Sequence, residues 1–172
     1  MGVILFVVLV LLIGAVLDVR FHRIPNWLTF SALAAGLAYH LIASGLHGLY
    51  FSAGGLILGF ALLLPFYLMG GMGAGDVKLL AAVGALLGPT GVFWAFLCTA
   101  LVGGIYAMAL LVASRSGKEA CAQYKESVRT FLWTRNIAEF RSVKMKKAPV
   151  LCYGVAIALG TFLSLLKTTY LR

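Results

Sequence analysis

Acidic and other charged side chains are scarce in this 172-residue chain. Asp and Glu together number five, and charged residues make up 11% of the sequence, whereas 62% of the residues are hydrophobic. Soluble domains carry about 25% charged residues, and no soluble core of this length could bury so much apolar surface. The composition therefore excludes an ordinary soluble protein. It predicts a single all-α polytopic domain, residues 1–172, embedded in a lipid bilayer.

The motifs of several common enzyme sites are missing as well. The three cysteines form no CxxC pair, which argues against a disulfide framework or a thiolate zinc site. The histidines form no HExxH pattern, and Ser52 does not lie in a GxSxG motif, so zinc and serine proteases lack their usual signatures. We therefore expect neither a metal nor a cofactor.

Apolar runs separated by polar or glycine-rich breaks predict about six transmembrane helices. A spanning helix needs about 20 apolar residues; three runs reach that length easily, and the others are shorter but clearly bounded. The first run lacks a basic start and a small-residue cleavage site, so we interpret it as a retained helix rather than a signal peptide. The runs are 2–17, 27–43, 49–69, 77–88, 91–113 and 148–166.

Basic residues account for the net charge of +9, and they are unevenly distributed. Arg20, Arg23, Lys78 and the basic residues of 114–147 would share one side of the membrane. The positive-inside rule places that side in the cytoplasm and both termini outside. A multi-pass protein of the cell membrane explains the basic excess more simply than nucleic-acid binding does. Segment 114–147 is either an amphipathic insertion on the inner leaflet or a solvated cytoplasmic connector.

The chain contains two aspartates, and both fall on the predicted cytoplasmic side. Asp18 ends the first predicted helix and Asp76 opens the fourth. The fourth helix, 77–88, is about 18 Å long, too short for a hydrocarbon core of about 30 Å. The segment "GGMGAGD" should therefore dip into the membrane, where irregular backbone is tolerated beside protein or water.

Simple structural roles compete with a catalytic one for these aspartates. Asp76 could cap helix four, and Asp18 could form an interfacial ion pair with Arg20 or Arg23. Intramembrane carboxylates, however, generally indicate function. Two carboxylates that share a proton can perform aspartic proteolysis, one activating water and the other polarising the scissile carbonyl. Lys78 would either tune the pair electrostatically or extend to the lipid headgroups.

Three segments resemble the type IV prepilin peptidases. "GAGDVKLLAAVGALLG", with Gly73, Gly75 and Asp76, resembles their GxGD segment; "DVRFHRIPNWLT" resembles their other aspartate segment, and "APVLCYGVAIALG" the start of their last helix. The resemblance implies a membrane aspartyl endopeptidase with Asp18 and Asp76 as the catalytic pair. It also implies a prepilin, pseudopilin or archaellin precursor as partner, cut at the cytoplasmic face between a basic leader and an apolar helix.

The chain resembles the short form of that family, as in tight-adherence pilus or archaellin systems. Long members carry paired CxxC motifs and also N-methylate the trimmed pilin, so methyltransferase activity is not expected here. Two alternatives stay open: a small proton-coupled transporter that uses both aspartates as relay groups, and a presenilin-like GxGD protease. The single visible glycine-rich break favours a protease over a transporter with repeated broken helices.

Overall fold

The described part of the chain is helical. A computed structural model describes residues 2–69, 71–113 and 153–170. The four helices are α1 (Gly2–Phe21), α2 (Asn26–Leu68), α3 (Ala74–Ala113) and α4 (Tyr153–Tyr170). Within these ranges there is no strand, so the predicted all-α class is confirmed. The predicted insertion 114–147 lies outside the described residues.

Three of the helices are suited to a bilayer. By length and composition, α1, α2 and the part of α3 that ends at Ala109 could each cross a membrane. Large apolar side chains cover the outside of the bundle; Leu5 is 74% exposed and Ile42 is 86% exposed. Such a surface is stable in lipid and not in water. The length and composition of these helices confirm the prediction of a multi-pass membrane protein.

Helices α2 and α3 each contain one sharp bend at a glycine. Gly45 has φ of 60° and Gly88 has φ of 75°, values that cost glycine little and other residues much more. Both bends fall in breaks that the sequence predicted, "SGLHG" and "GPTG". The four runs predicted as separate helices thus form the two arms of α2 and the two arms of α3.

The two arms of α2 pack on the same stretch of α3. A Cβ on Gly48 would collide with the carbonyl oxygen of His40, which shows that the chain turns back at the bend. A Cβ on Gly36, in the first arm, would lie 2.9 Å from the carbonyl carbon of Ala85. A Cβ on Gly55, in the second arm, would collide with the carbonyl oxygen of Gly84. Small residues allow such close helix contacts in membranes.

The first arm of α3 is the centre of the fold. Residues 79–86 of this arm are all buried, as expected for a helical stretch that is apolar around its whole circumference. Leu79 and Leu80 are fully buried there and belong to the same core as Val7 of α1 and Ile157 of α4. The core therefore holds the start of this arm, and with it Asp76, at a fixed position among the other helices.

Candidate active site

Asp18 lies near the end of α1 and is 7% exposed. Its partner is a backbone amide rather than Arg20 or Arg23: the N–H of Gly154 donates to Asp18 Oδ2 over 2.9 Å. Gly154 is the second residue of α4. A carboxylate is disfavoured at the C-terminal end of its own helix but favoured at the N-terminal end of another. The start of α4 therefore stabilises the carboxylate of Asp18.

The chain leaves α1 through a left-handed residue. His22 has φ of 50°, a conformation that histidine adopts more readily than most residues. Its N–H donates to the carbonyl oxygen of Asp18 over 2.8 Å, which closes the last turn of α1 as a left-handed C-terminal cap. The turn directs His22, Arg23 and Ile24 toward the start of α3, where all three line the cavity described below.

Asp76 is the third residue of α3 and is also 7% exposed. Its Oδ2 accepts the N–H of Gly73 over 3.1 Å, while its own N–H donates to the Gly73 carbonyl over 3.2 Å. An acidic third residue that reaches back to the residue before the helix is the arrangement of a capping box. Asp76 is therefore not the cap itself; it lies inside the first turn, because α3 begins at Ala74 rather than at 77.

The glycines of the GAGD segment differ in what surrounds them. A Cβ on Gly75 would lie 3.1 Å from Ile24 Cβ and 3.4 Å from Ile24 N, so a side chain here would push against the α1–α2 loop. A Cβ on Gly73 would lie 3.4 Å from Asp76 Oδ2, which is an ordinary contact. Gly75 thus allows the loop that follows Asp18 to approach the start of α3.

The two aspartates line one cavity. Its volume is about 220 Å³, and His22 and Arg23 contribute the other charged or titratable side chains of its wall. One water occupies about 30 Å³ in the liquid, so the cavity has room for water together with part of a peptide. Within residues 2–69, 71–113 and 153–170, no group of three or more His, Cys, Asp or Glu side chains is arranged to hold a metal ion.

Lys78 lies away from this cavity. Its Nζ donates to Asn26 Oδ1 over 2.9 Å and lies 5.6 Å from the ring centroid of Phe30. Asn26 is the first residue of α2, after Pro25, which holds the cap position without a side-chain hydrogen bond. By accepting the hydrogen bond from Lys78, the Asn26 side chain links the first turns of α2 and α3.

Two polar residues of α2 have structural partners. His40 Nε2 lies 3.1 Å from the Leu86 carbonyl oxygen, and the Ser52 hydroxyl donates to the Ala85 carbonyl over 2.7 Å. Both connect an arm of α2 to the buried arm of α3. Ser52 is fully buried, so it is not placed to act as a nucleophile on a substrate.

Gly154 is one of the site residues that the sequence did not identify. It lies within the quoted "APVLCYGVAIALG" segment, but it is 136 residues from the carboxylate that it contacts. No local pattern predicts a contact at that separation. The roles of His22 and Arg23 in the cavity wall were missed for a related reason, since the cavity exists only once α3 packs beside the loop.

The fold and the site define a helical membrane protein with two buried carboxylates on one cavity. The sequence profile of the type IV leader peptidase family matches residues 5–108, and the chain belongs to that family. It is 32% identical over 138 residues to the prepilin leader peptidase/N-methyltransferase of Bacillus subtilis (strain 168), an alignment that covers 76% of this chain and 55% of that protein. The chain thus spans about half the length of this curated relative. No solved structure matches the chain.

Proposed function

We propose that this protein is a membrane aspartyl endopeptidase that removes the basic leader from a prepilin or a related pilin-like precursor. The observation that carries the proposal is the shared cavity of Asp18 and Asp76. These are the two aspartates of the chain, and they come from helices that are far apart in sequence. Family membership and the name of the Bacillus subtilis relative support the reaction class.

The proposed chemistry needs only the two carboxylates and a water molecule. The ionised aspartate takes a proton from water as the water oxygen attacks the scissile carbonyl. The protonated aspartate donates a hydrogen bond to that carbonyl and then supplies the proton for the departing amine. The two groups titrate as a pair, so the same mechanism can be written with either aspartate as the ionised member. The amides of Gly73 and Gly154 hold one oxygen of each carboxylate, which supports a fixed geometry.

In the proposed topology the cavity opens at the cytoplasmic face of the cell membrane. Six spans would follow from the separate arms of α2 and α3, with both termini outside and residues 1–172 forming one domain. Arg20 and Arg23 lie at the same end of the bundle as the two aspartates, which supports this orientation through the positive-inside rule. Segment 114–147 would then be the cytoplasmic or interfacial insertion.

The proposed substrate has a basic leader, a junction and an apolar helix. The apolar helix would approach from the lipid, and the junction would lie extended across the aspartates, because a helix hides its carbonyls in internal hydrogen bonds. A second cavity of about 470 Å³, lined largely by apolar side chains such as Leu17, Phe21 and Trp27, adjoins the site through Arg23 and Ile24. It supports the entry of an apolar segment beside Asp18. The methyltransferase activity in the relative's name is outside the proposal, since the chain has no CxxC motif.

The direct test is cleavage of a precursor by the purified protein in lipid. The precursor would carry a Lys/Arg leader, a glycine before the junction and an apolar helix, and mass spectrometry would locate the cut. We expect cleavage after the glycine, because glycine resists helix formation and fits a narrow site. Replacing it with Leu should lower cleavage at least about tenfold, a barrier change of about 1.4 kcal/mol.

The enzyme variant Ser52→Ala is the control for a serine nucleophile. It should retain cleavage, because the Ser52 hydroxyl is bonded to the Ala85 carbonyl inside the bundle. Cleavage within the apolar helix, or unchanged cleavage of the Leu precursor, would contradict cleavage at a glycine junction. Either result would favour the presenilin-like alternative. Proton uptake by liposomes without any cleavage would favour the transporter.

A further inference from the structure

We propose that Gly154 is a positioning residue of this site, which holds the carboxylate of Asp18 toward the cavity that it shares with Asp76. The inference rests on the proposed peptidase function and extends it to a residue of the last described helix. Gly154 does this through two properties: a backbone N–H that is available for bonding, and the absence of a side chain.

The available N–H follows from the position of Gly154 in α4. The first four N–H groups of a helix have no partner within the helix. The N–H of Gly154 is one of these, and it donates to Asp18 Oδ2 over 2.9 Å in a buried contact. A charged acceptor strengthens such a bond, and the positive end of the helix adds to the attraction.

The absence of a side chain is required by Asp18 itself. A Cβ built on Gly154 would lie 2.8 Å from Asp18 Oδ2, 3.0 Å from Asp18 Cβ and 3.1 Å from Asp18 Cγ. The three nearest atoms all belong to this one aspartate. Any other residue at 154 would therefore displace the carboxylate, whatever else it did to helix packing.

A nearby glycine at the α3–α4 interface shows the contrast. A Cβ on Gly103 would lie 3.6 Å from Ala156 Cβ and 3.8 Å from Tyr153 Cε1, both ordinary contacts. Gly103 therefore faces the same end of α4 without approaching Asp18. It provides a matched control for adding a methyl group at this interface.

The start of α4 is also firmly held, so the bond can orient Asp18 rather than follow it. Ala156 and Ile157, one turn further along, are 3% and 1% exposed, and Ile157 belongs to the central core. Further along α4, Gly160 approaches the backbone of Thr99 in α3 closely, since a Cβ there would lie 2.5 Å from Thr99 Cα. A displaced Asp18 would thus lose its donor, and the donor would not move with it.

The first test compares the cleavage kinetics of Gly154→Ala and Gly103→Ala in lipid. A positioning role predicts that Gly154→Ala lowers kcat at least about tenfold while KM stays within about threefold, because the geometry of the carboxylate changes and the substrate surface does not. Gly103→Ala should keep both constants within about twofold of the wild type. A kcat unchanged in Gly154→Ala, a change in KM alone, or equal losses in the two variants would overturn the proposal.

The second test measures thermal stability and does not depend on activity. Gly154→Ala should lower Tm in the wild type, and clearly less in an Asp18→Ala background, where the carboxylate that the methyl group meets is gone. If Gly154→Ala alone fails to accumulate, the same reasoning predicts that the double variant does accumulate. An equal decrease in both backgrounds, or no rescue, would overturn the contact. If the wild type cleaves no precursor, the proposed function fails, and this comparison still decides whether Gly154 positions Asp18.

Discussion

The two aspartates have the same exposure but acquire their surroundings in different ways. Asp76 bonds to Gly73, three residues before it, within a single helix start. Asp18 bonds to Gly154, which enters the site only after α4 has packed against α1 and α3. One half of the site is therefore encoded in a short motif, and the other half depends on the assembled bundle. The variants below test where this difference holds.

Among substitutions that leave both carboxylates in place, the largest effect is expected where the two halves of the site meet, at Gly75. The substitution Gly75→Val adds a branched side chain where even a Cβ would lie 3.1 Å from Ile24. The α1–α2 loop must then move away from the start of α3, and a misplacement of about 1 Å can cost about a hundredfold in rate. We expect a loss of that order in kcat/KM for precursor cleavage.

Gly104→Val is the matched control for this change, because no atom of the described residues lies within 4 Å of a Cβ at that position of the same helix. The control should stay near the wild-type rate. A Gly75→Val enzyme as active as the control would show that the loop and the GAGD segment are not held in contact.

A smaller effect is expected in stability, and it separates the local half from the tertiary half. Asp18→Ala leaves the buried N–H of Gly154 without its acceptor, at a cost of about 1–3 kcal/mol. Asp76→Ala removes a contact within one helix turn, comparable to a capping loss of about 0.5–2 kcal/mol. Both substitutions remove the same repulsion between the carboxylates, so their difference reports on the contacts.

Thermal unfolding in one lipid or detergent should therefore give a lower Tm for Asp18→Ala than for Asp76→Ala. The reverse order would mean that the start of α3 is the more important support. In that case the distinction between a local and a tertiary half of the site would not hold.

The smallest effect is expected at Lys78, which lies next to the motif but outside the cavity. Its side chain is half-buried, but its bond to Asn26 is exposed, and such exposed interactions contribute about 0–1 kcal/mol. Lys78→Met should keep cleavage within about threefold of the wild type, because the change does not reach either carboxylate. A large loss in Lys78→Met but not in Asn26→Ala would instead indicate that the ammonium group acts on the aspartate pair.

The same contrast between local and tertiary information decides what the sequence could predict. Both bends were visible because glycine-containing breaks interrupt the apolar runs at Gly45 and Gly88, and both aspartates stood out because carboxylates are rare in this chain. The motif around Asp76 was likewise visible in the sequence, because the two hydrogen bonds between Asp76 and Gly73 join residues only three positions apart.

Other features depend on packing and left no local signal. The arm of α3 that begins at Ala74 is the centre of the bundle. Its hydrophobic run predicts a short helix but does not indicate that this helix lies at the centre. The contact of Gly154 with Asp18 joins residues 136 positions apart. The bond between Asn26 and Lys78 likewise joins two helices, at residues 52 positions apart. Segment 114–147 lies outside the described residues, and its two interpretations stay predictions.

The most direct measurement of the central claim is a double-variant comparison of Asp18→Asn and Asp76→Asn. Asparagine keeps the shape of each side chain and removes its ionisable group. If the two aspartates act as one catalytic unit on one cavity, each single variant should lose at least about a thousandfold in precursor cleavage, and the double variant should lose no more than either. Cleavage above about a tenth of the wild-type rate in either single variant, or losses that multiply in the double variant, would contradict a shared aspartate pair.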